Sequence, residues 1–207
     1  MTARIYLASR SPRRQELLAR IGIEFELLLA GPGEDDEALE AVIPGESPTV
    51  YVRRVTRAKL AAACARRIAR DLPPRPVLAA DTTVATGGRI LGKPADRAEA
   101  IRMLQSLSGR THRVLTAVAV ARGSRVHDIV SVSRVTFARL SAADIERYVA
   151  RGESLDKAGA YGIQGAAEAF VRRIDGSCSG IMGLPLYETA RLLRRPSAAS
   201  GGRAPLT

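Results

Sequence analysis

The fold is decided by the stretch Val77-Leu78-Ala79-Ala80-Asp81. Its four apolar residues are uninterrupted, a pattern typical of a strand that is covered on both faces at the centre of a sheet. We therefore predict a central strand over residues 77–80, with Asp81 at its end. Gly87-Gly88 lies a few residues further on and predicts a hairpin that joins residues 82–86 to residues 89–91.

Strands and helices alternate on both sides of this central strand. On the N-terminal side, the patterns predict strands over 5–8 and 23–29, and helices that begin after Ser11 and Ser47. On the C-terminal side they predict, in order, a helix capped by Asp96, strands over 113–121 and 126–140, a helix capped by Ser141, a glycine-rich loop over 152–165, a strand over 169–174 and a helix over 185–194. Because hairpins and crossovers both occur, we predict an α/β fold with a mixed sheet.

The composition is that of an ordinary globular domain. With 207 residues, 46% hydrophobic and 26% charged, the chain is long enough to bury a core without disulfides or a structural metal, and we predict one domain over 1–195. Cys64 and Cys178 lack the spacing of a metal site, so we predict free thiols. The apolar run over residues 5–8 is too short for the central region of a signal peptide, so we predict a cytoplasmic protein. The apolar runs stop far short of the roughly 18 residues that a membrane helix needs, so we expect no membrane partner.

The net charge of +11 is the most unusual feature of the composition. Such a charge ordinarily points to nucleic acid or an anionic surface. Aromatic residues, however, make up only 4% of the chain, too few for a platform on which single-stranded bases stack. Part of the charge lies near the C-terminus, where we predict a disordered basic tail over 196–207. A small polyanionic ligand is therefore favoured over stable binding of nucleic acid.

A candidate phosphate site follows the first predicted strand, in Ser9-Arg10-Ser11-Pro12-Arg13-Arg14. Ser11 is predicted to be the N-cap residue of the helix, with Pro12 in its first turn. Arg13 and Arg14 carry the wrong charge for the positive end of a helix dipole. A bound phosphate removes this conflict, because backbone N–H groups, guanidinium groups and hydroxyls converge on it. The alternative is a pair of solvated arginines.

Asp81 is the candidate for chemistry at phosphorus. A carboxylate at the end of a buried strand lies where α/β folds bind ligands, and it can hold Mg²⁺ or orient a water for attack; the alternative is a turn cap. Lys93, between a glycine and a proline in a stiff loop, and Lys59, among apolar residues of the long helix, are candidate anion ligands, although snorkelling explains Lys59 equally well. His112 and His127 lack a partner pattern, which disfavours a Ser-His-Asp hydrolase.

Six motifs resemble, in their order, those of the Maf-type nucleoside triphosphate pyrophosphatases over roughly residues 4–195. They are Ala8-Ser9-Arg10-Ser11-Pro12-Arg13-Arg14, Ala80-Asp81-Thr82-Thr83-Val84, Gly92-Lys93-Pro94, Ser108-Gly109-Arg110-Thr111-His112, Asp156-Lys157-Ala158-Gly159-Ala160-Tyr161-Gly162-Ile163-Gln164-Gly165 and Gly183-Leu184-Pro185. The resemblance implies an elongated mixed sheet flanked by helices, as in the inosine triphosphatases, with two lobes around a central cleft. It also implies a homodimeric hydrolase that uses a divalent cation, Mg²⁺ or Mn²⁺, to convert a nucleotide into its monophosphate and pyrophosphate.

By the same resemblance, Asp81 takes the role of proton acceptor and of a metal ligand. The positions tied to substrate choice are Arg13, Thr82 and Gln164. The positions near the phosphates are Ser9, Arg14, Lys59 and Lys93, to which the helix-start argument adds Ser11 and Arg13. The acidic partner of the metal stays open among Glu34, Asp35, Asp36 and Glu37, and Glu34 is taken first.

The motif that contains Gln164 is similar to that of family members acting on dTTP and UTP. We therefore predict these pyrimidine nucleotides, or modified forms of them, as substrates. One alternative is the branch of the family that acts on 7-methyl-GTP, and Gln164 is the feature that distinguishes the two branches. A second alternative, from another class, is a basic regulatory protein linked to the arrest of cell division.

Overall fold

The structure is a computed structural model that describes residues 4–36 and 38–194. Its strands are β1 (Ile5–Leu7), β2 (Phe25–Leu27), β3 (Val77–Thr86), β4 (Arg89–Leu91), β5 (Thr111–Arg122), β6 (Arg125–Phe137) and β7 (Val171–Asp175). Its α-helices are α1 (Pro12–Arg20), α2 (Pro48–Ala69), α3 (Arg97–Leu107), α4 (Ala142–Ala150), α5 (Cys178–Met182) and α6 (Leu186–Arg194). Short 3₁₀ helices lie at Ala38–Glu40, Ala158–Ala160 and Ala166–Phe170.

The described strands form one mixed seven-stranded sheet. β1 lies between β2 and β3 and is parallel to both. β3, β5, β6 and β7 then follow one another in antiparallel order, and β4 folds back on β3 as the predicted hairpin. With helices packed on both faces of the sheet, the predicted α/β class with a mixed sheet is confirmed.

β3 is the central strand, and one of its edges is only partly paired. β5 pairs with β3 from Val77 to Ala85. On the opposite edge, β1 pairs with β3 only at Val77 and Leu78, and β4 pairs with it only from Val84 onward. The edge between these contacts, over residues 79–83, therefore faces no neighbouring strand among the described residues.

The predicted boundaries of the central strand were wrong. We expected one strand over 77–80, with Asp81 at its end, and a separate hairpin strand over 82–86. The structure instead has one continuous strand, because the ladder with β5 runs through Asp81 and Thr82, which lie opposite Ala117 and Thr116. Asp81 is therefore in the middle of a strand, beside the open edge.

Alternate residues of β3 point into two different cores. Leu78, Ala80 and Val84 belong to the core cluster that contains residues of α1, α3, α4 and α6. Val77 and Ala79 point to the other face, where they pack with Leu60 and Ala63 of α2. The same alternation directs Asp81 to the α2 face and Thr82 to the opposite face.

Several helix starts match the sequence signals. Ser47 accepts a hydrogen bond from the N–H of Val50, and Ser141 forms a capping box with Asp144. Ser11 does stand at the N-cap position of α1, but its side chain makes no capping bond, so the expected capping bond is absent there. Helix α5 is an element that the sequence patterns did not predict.

Three predictions made from the composition concern the cysteines, membrane helices and the C-terminal tail. Cys64 and Cys178 are free cysteines, as predicted. Within residues 4–36 and 38–194, every helix is too short or too polar to cross a membrane. The basic tail predicted over 196–207 lies outside the described residues.

Candidate active site

A cavity of about 720 Å³ lies at the open edge of β3. Residues 80–84 of that strand line it, together with the loop between β1 and α1, the Lys93 loop, and parts of the segment before β7 and of α5. The N–H groups of Tyr6 and Ala8 donate to the carbonyls of Pro76 and Leu78, so even-numbered residues of β3 direct their backbone groups to this edge. Because none of the described strands covers this edge, side chains from both faces of the sheet, such as Asp81 and Thr82, line the cavity.

The α2 face of the cavity holds a compact cluster of opposite charges. Lys59 Nζ lies 2.6 Å from Asp81 Oδ1 and 2.6 Å from Glu40 Oε1. Lys93 Nζ is 3.9 Å from the other oxygen of Glu40. Only 10% of the Asp81 side chain and 13% of the Lys59 side chain are exposed, so water screens this pair weakly.

Burial and charge act in opposite directions on this cluster. Burial raises the pKa of Asp81, and the positive charges of Lys59 and Arg14 only partly offset that effect. Burial also acts to lower the pKa of Lys59, but the two carboxylates around it outweigh burial and raise that pKa. Asp81 is therefore a carboxylate with increased proton affinity, held beside an ammonium that stays charged.

Glu40 is a residue of the site that the sequence analysis missed. Its main-chain carbonyl accepts a hydrogen bond of 2.9 Å from the Tyr51 hydroxyl. Arg54 donates to the neighbouring carbonyls of Leu39 and Ala41, and Glu46 holds the Arg54 guanidinium in place. No motif marks Glu40, because its place in the site depends on contacts with α2 and with Lys93, which lie further along the chain.

Arg14 organises the opposite face of the cavity. Its Nε donates to the Gly183 carbonyl at 2.8 Å, and its two terminal nitrogens donate to Ser9 Oγ at 3.2 Å and to Thr82 Oγ1 at 3.3 Å. Burial lowers the pKa of Arg14, while Asp81 and Glu40 act to raise it. Arg14 therefore ties together the β1–α1 loop, β3 and the turn after α5.

A chain of hydroxyl groups continues from Arg14 into the core. Thr116 Oγ1 donates to the Gly180 carbonyl at 2.7 Å, and it lies 2.9 Å from Thr82 Oγ1. Because the Thr116 proton is used in the bond to Gly180, Thr82 donates its own proton to Thr116 and accepts from Arg14. The Thr82 hydroxyl is thus fixed in direction at the cavity wall.

Two further cations lie at the rim formed by residues 156–162. Arg13 and Lys157 both line the cavity, and Lys157 pairs with Asp156. A Cβ placed on Gly162 would lie 2.9 Å from Arg13 Nη2 and 3.4 Å from Lys157 Cε. The two cations therefore pack against the bare face of the same glycine.

The cavity also has an apolar part on the face opposite α2. Its apolar lining residues there are Val84, Val114, Tyr161, Ile181 and Met182. Val84 and Val114 are direct neighbours across β3 and β5, and all five residues belong to one core cluster. The cavity therefore combines charged groups, which lie on the α2 face and around Arg14, with an apolar part on the face opposite α2.

Most of the site residues predicted from the sequence come together at this cavity. The cavity is lined by Ser9, Ser11, Arg13, Arg14, Glu34, Lys59, Asp81, Thr82 and Lys93. Gln164 is exposed and is not among the lining residues. Glu37 lies outside the described residues.

Glu34 lies at the cavity, but its carboxylate is engaged elsewhere. One oxygen accepts from Arg66 Nε at 2.6 Å, and the other accepts from the Gly31 N–H and from Arg70. Arg66 also binds Asp36 at 2.9 Å. These contacts hold the acidic loop against α2, and Glu40 rather than Glu34 contacts the Lys59 ammonium that binds Asp81.

The residues present fit a divalent cation that arrives with phosphates. Among the described residues there is no group of three or more histidine, cysteine, aspartate or glutamate side chains that would hold a metal by itself. The carboxylates of Asp81 and Glu40 both contact Lys59 Nζ, and each uses only one of its oxygens for this contact. Mg²⁺ is commonly held by one or two carboxylates together with substrate phosphates.

Behind the apolar part of the cavity lies a buried aromatic cluster. His112 Nε2 is 2.7 Å from the Tyr161 hydroxyl, and the imidazole packs edge-on against Phe137. Burial lowers the pKa of His112 to about 4 and raises the pKa of Tyr161. Both rings are therefore neutral at pH 7.

Comparison with known proteins adds independent findings. The sequence pattern of a family described as Maf-like protein matches residues 4–196. The dTTP/UTP pyrophosphatase of Cupriavidus metallidurans is 63% identical over 194 residues, which cover 94% of this chain and 97% of that protein. The dTTP/UTP pyrophosphatase of Ralstonia nicotianae is 64% identical over 191 residues, covering 91% and 92%. The Ham1 protein of Staphylococcus aureus aligns with a TM-score of 0.43 at 13% identity, over 66% of this chain and 72% of that chain, a likeness too distant to carry an argument.

The neutral state of His112 predicts a specific dependence of stability on pH. Because the pKa of His112 is lower in the folded chain than the ordinary value of 6.5, the unfolded chain binds more protons between pH 6.5 and about 4. The free energy of unfolding therefore contains a contribution from neutral His112. This contribution is fully present above pH 6.5 and is lost as the pH falls, by about 3 kcal/mol in total. Urea unfolding of the wild type and of His112→Gln from pH 8 to 4 measures it. A difference between the two proteins that stays constant with pH would contradict this prediction.

Proposed function

The chain belongs to the Maf family, and we propose that it is a nucleoside triphosphate pyrophosphatase that acts on dTTP and UTP. The observation that carries the proposal is the buried Asp81 carboxylate, 2.6 Å from the Lys59 ammonium in a cavity lined by further cations. The names of the relatives at 63% and 64% identity support the choice of nucleotides. The geometry of the site favours neither the 7-methyl-GTP branch nor a regulatory protein.

The two parts of the cavity suggest how a nucleotide lies in it. The polyphosphate meets Lys59, Lys93 and the Ser9–Arg14 pair, whose positive groups neutralise the charge that develops in the transition state. Arg13, at the rim of the cavity, binds the nucleotide equally in the ground state and in the transition state. The pyrimidine ring packs in the apolar part of the cavity, beside Tyr161. This arrangement places the α-phosphorus near Asp81, at the junction of the two parts.

Asp81 is proposed as the base. One of its oxygens is bonded to Lys59, which leaves the other to accept a proton from water. The water oxygen attacks the α-phosphorus, the bond from that phosphorus to the bridging oxygen breaks, and pyrophosphate leaves. A carboxylate whose pKa is raised by burial accepts a proton more readily than an exposed one, so the surroundings of Asp81 suit this role.

A divalent cation, Mg²⁺ or Mn²⁺, is part of the proposal. Asp81 and Glu40 would hold it, with Glu40 in the place first considered for Glu34. When bound, the cation supplies charge neutralisation at the phosphate oxygens. Lys59 bridges these two carboxylates and so holds them close to each other.

Substrate selection is proposed to involve Arg13, Thr82 and Gln164, as the resemblance implies. Thr82 supports this role because its hydroxyl is fixed in direction at the cavity wall. Arg13 lines the same cavity, whereas exposed Gln164 reaches a nucleotide only if its side chain or its segment moves. A homodimer and a cytoplasmic location remain predictions from the sequence.

The first test is a panel of nucleoside triphosphates with Mg²⁺ or Mn²⁺. We expect dTTP and UTP to be hydrolysed at least about tenfold more efficiently, in kcat/KM, than purine nucleotides. Pyrophosphate and the monophosphate are the expected first products, measured separately from orthophosphate by chromatography. Orthophosphate as the first product would refute cleavage between the α- and β-phosphates.

The second test is Asp81→Asn, which removes the proposed base while preserving its size. We expect a fold similar to wild type by circular dichroism and a loss of about 10² or more in kcat, the order associated with a general base. Asp175→Asn is the matched control, because Asp175 is an exposed aspartate paired with Arg134, away from the cavity. Retained turnover in Asp81→Asn would remove Asp81 from this role.

The third test compares Glu40→Gln with Glu34→Gln. If Glu40 holds the cation, its substitution raises the Mg²⁺ concentration at half-maximal activity by about tenfold or more. Glu34→Gln should change that concentration by less than about threefold, because Arg66 and Arg70 already engage the Glu34 carboxylate. A Mg²⁺ titration of activity measures both variants, and the reverse order would return the metal to Glu34.

A further inference from the structure

One wall of the cavity is built by the segment from Glu153 to Gly165. It contains one short 3₁₀ helix and no other regular structure, so hydrogen bonds to neighbouring elements must hold it in place. The N–H of Gly159 donates to the Gly92 carbonyl at 3.0 Å, next to the Lys93 loop. The Glu153 carboxylate accepts from the N–H of Ala166 at 3.1 Å.

Two buried tyrosine hydroxyls hold the middle of this segment. The hydroxyl of Tyr161 is 2.7 Å from His112 Nε2 on β5. The hydroxyl of Tyr148 on α4 accepts from the N–H of Gly162 at 3.2 Å. Two hydrogen bonds therefore set the position of Gly162. One is made by the side chain of the preceding Tyr161, and the other is made by the N–H of Gly162 itself.

Gly162 in turn determines where Arg13 lies. A Cβ at this position would come within 2.9 Å of Arg13 Nη2, a separation that real Cβ atoms essentially never show. The carboxylate of Asp156, in the same segment, is an electrostatic partner of Arg13. The direction of the Arg13 guanidinium therefore depends on the bare face of Gly162 and on Asp156, so a shift of the segment is transmitted to Arg13.

The chemistry of the His112–Tyr161 pair points to positioning rather than to stability. The surrounding cluster is apolar and aromatic, with Phe137 next to both rings. An apolar pair of the same shape would bury the same area without the desolvation cost of two polar groups. Moreover, His112 Nδ1 is buried without a hydrogen-bond partner among the described residues. What the polar pair adds is one directional bond, which fixes the ring of Tyr161 at a definite distance from β5.

Building on the proposed function, we propose that His112 is a positioning residue for nucleotide binding. Through the Tyr161 hydroxyl it fixes Gly162, and Gly162 fixes the direction of the Arg13 guanidinium in the cavity. His112 itself is 1% exposed and does not line the cavity. Its effect therefore reaches the nucleotide only through the segment.

The test is the separation of KM from kcat for dTTP in four variants. His112→Leu and Tyr161→Phe each remove the bond and should raise KM about tenfold, while kcat changes by less than about twofold. His112→Gln carries an amide group that can replace Nε2, and it should restore most of the wild-type KM. Gly162→Ala should raise KM to the same extent, because it displaces Arg13 directly while the bond between His112 and Tyr161 remains.

Two further measurements make the test specific. The double variant His112→Leu/Gly162→Ala should be no worse in KM than Gly162→Ala alone, since both changes act through one chain of contacts. Tyr6→Phe is the matched control, because the Tyr6 hydroxyl is buried, lies outside the cavity lining and has no hydrogen-bond partner among the described residues. Its KM and kcat should equal those of the wild type.

Calorimetry with dTTP in the absence of metal keeps this proposal distinct from the proposed function. If the wild type binds dTTP but cleaves no nucleotide, the proposed function fails, and a weaker Kd in His112→Leu still supports positioning. An unchanged KM and Kd in His112→Leu and Tyr161→Phe, with only a lower unfolding temperature, would overturn the positioning role. A loss confined to kcat would also overturn it, and absence of dTTP binding by the wild type would overturn both proposals.

Discussion

The open stretch of the β3 edge is the constraint on which the site depends. Successive side chains of a strand point to opposite faces of the sheet, so Asp81 and Thr82 would ordinarily be separated by the sheet itself. Here β1 ends its pairing at Leu78 and β4 begins its pairing at Val84, and the gap lets one cavity reach both side chains. The gap exists because β1 and β4 are each only three residues long; longer strands would close it.

The charged groups around this gap are stable only as a set. An isolated buried carboxylate or ammonium costs several kcal/mol in desolvation. Asp81 and Lys59 offset that cost for each other, and Glu40 is the second carboxylate bonded to the Lys59 ammonium. On the other face, buried Arg14 is compensated by directed bonds to Ser9, Thr82 and a carbonyl. Removal of any member leaves another buried charge without its partner, so substitutions in the cluster lower the free energy of unfolding as well as the activity, even where the fold itself is kept.

Local patterns in the sequence predicted the elements better than they predicted the site. The strand, loop and helix around Ser9–Arg14, the Gly87-Gly88 hairpin and the capping box at Ser141 were all foreseen, because each depends on residues close together in the chain. Asp81 was misplaced at a strand end, since the ladder that carries β3 past it comes from β5, some 36 residues later. Glu40 was missed for the same reason, as its partners Lys59 and Tyr51 lie on α2 and not in the segment around Glu40. Whether Gln164 takes part is not decided by its motif, because a motif does not show the direction of a side chain.

The distribution of cations shows how the chain uses its basic residues. All three lysines, Lys59, Lys93 and Lys157, line the cavity, whereas many arginines hold structural contacts such as those of Arg54 with Glu46 and of Arg66 with Glu34 and Asp36. The planar guanidinium forms several bonds in fixed directions, which suits a permanent contact. The ammonium of lysine is a compact point charge on a flexible stem, which suits a partner that arrives and leaves. Lys59 can therefore bridge two carboxylates and still turn toward a phosphate, an exchange that a guanidinium held by several directed bonds would resist.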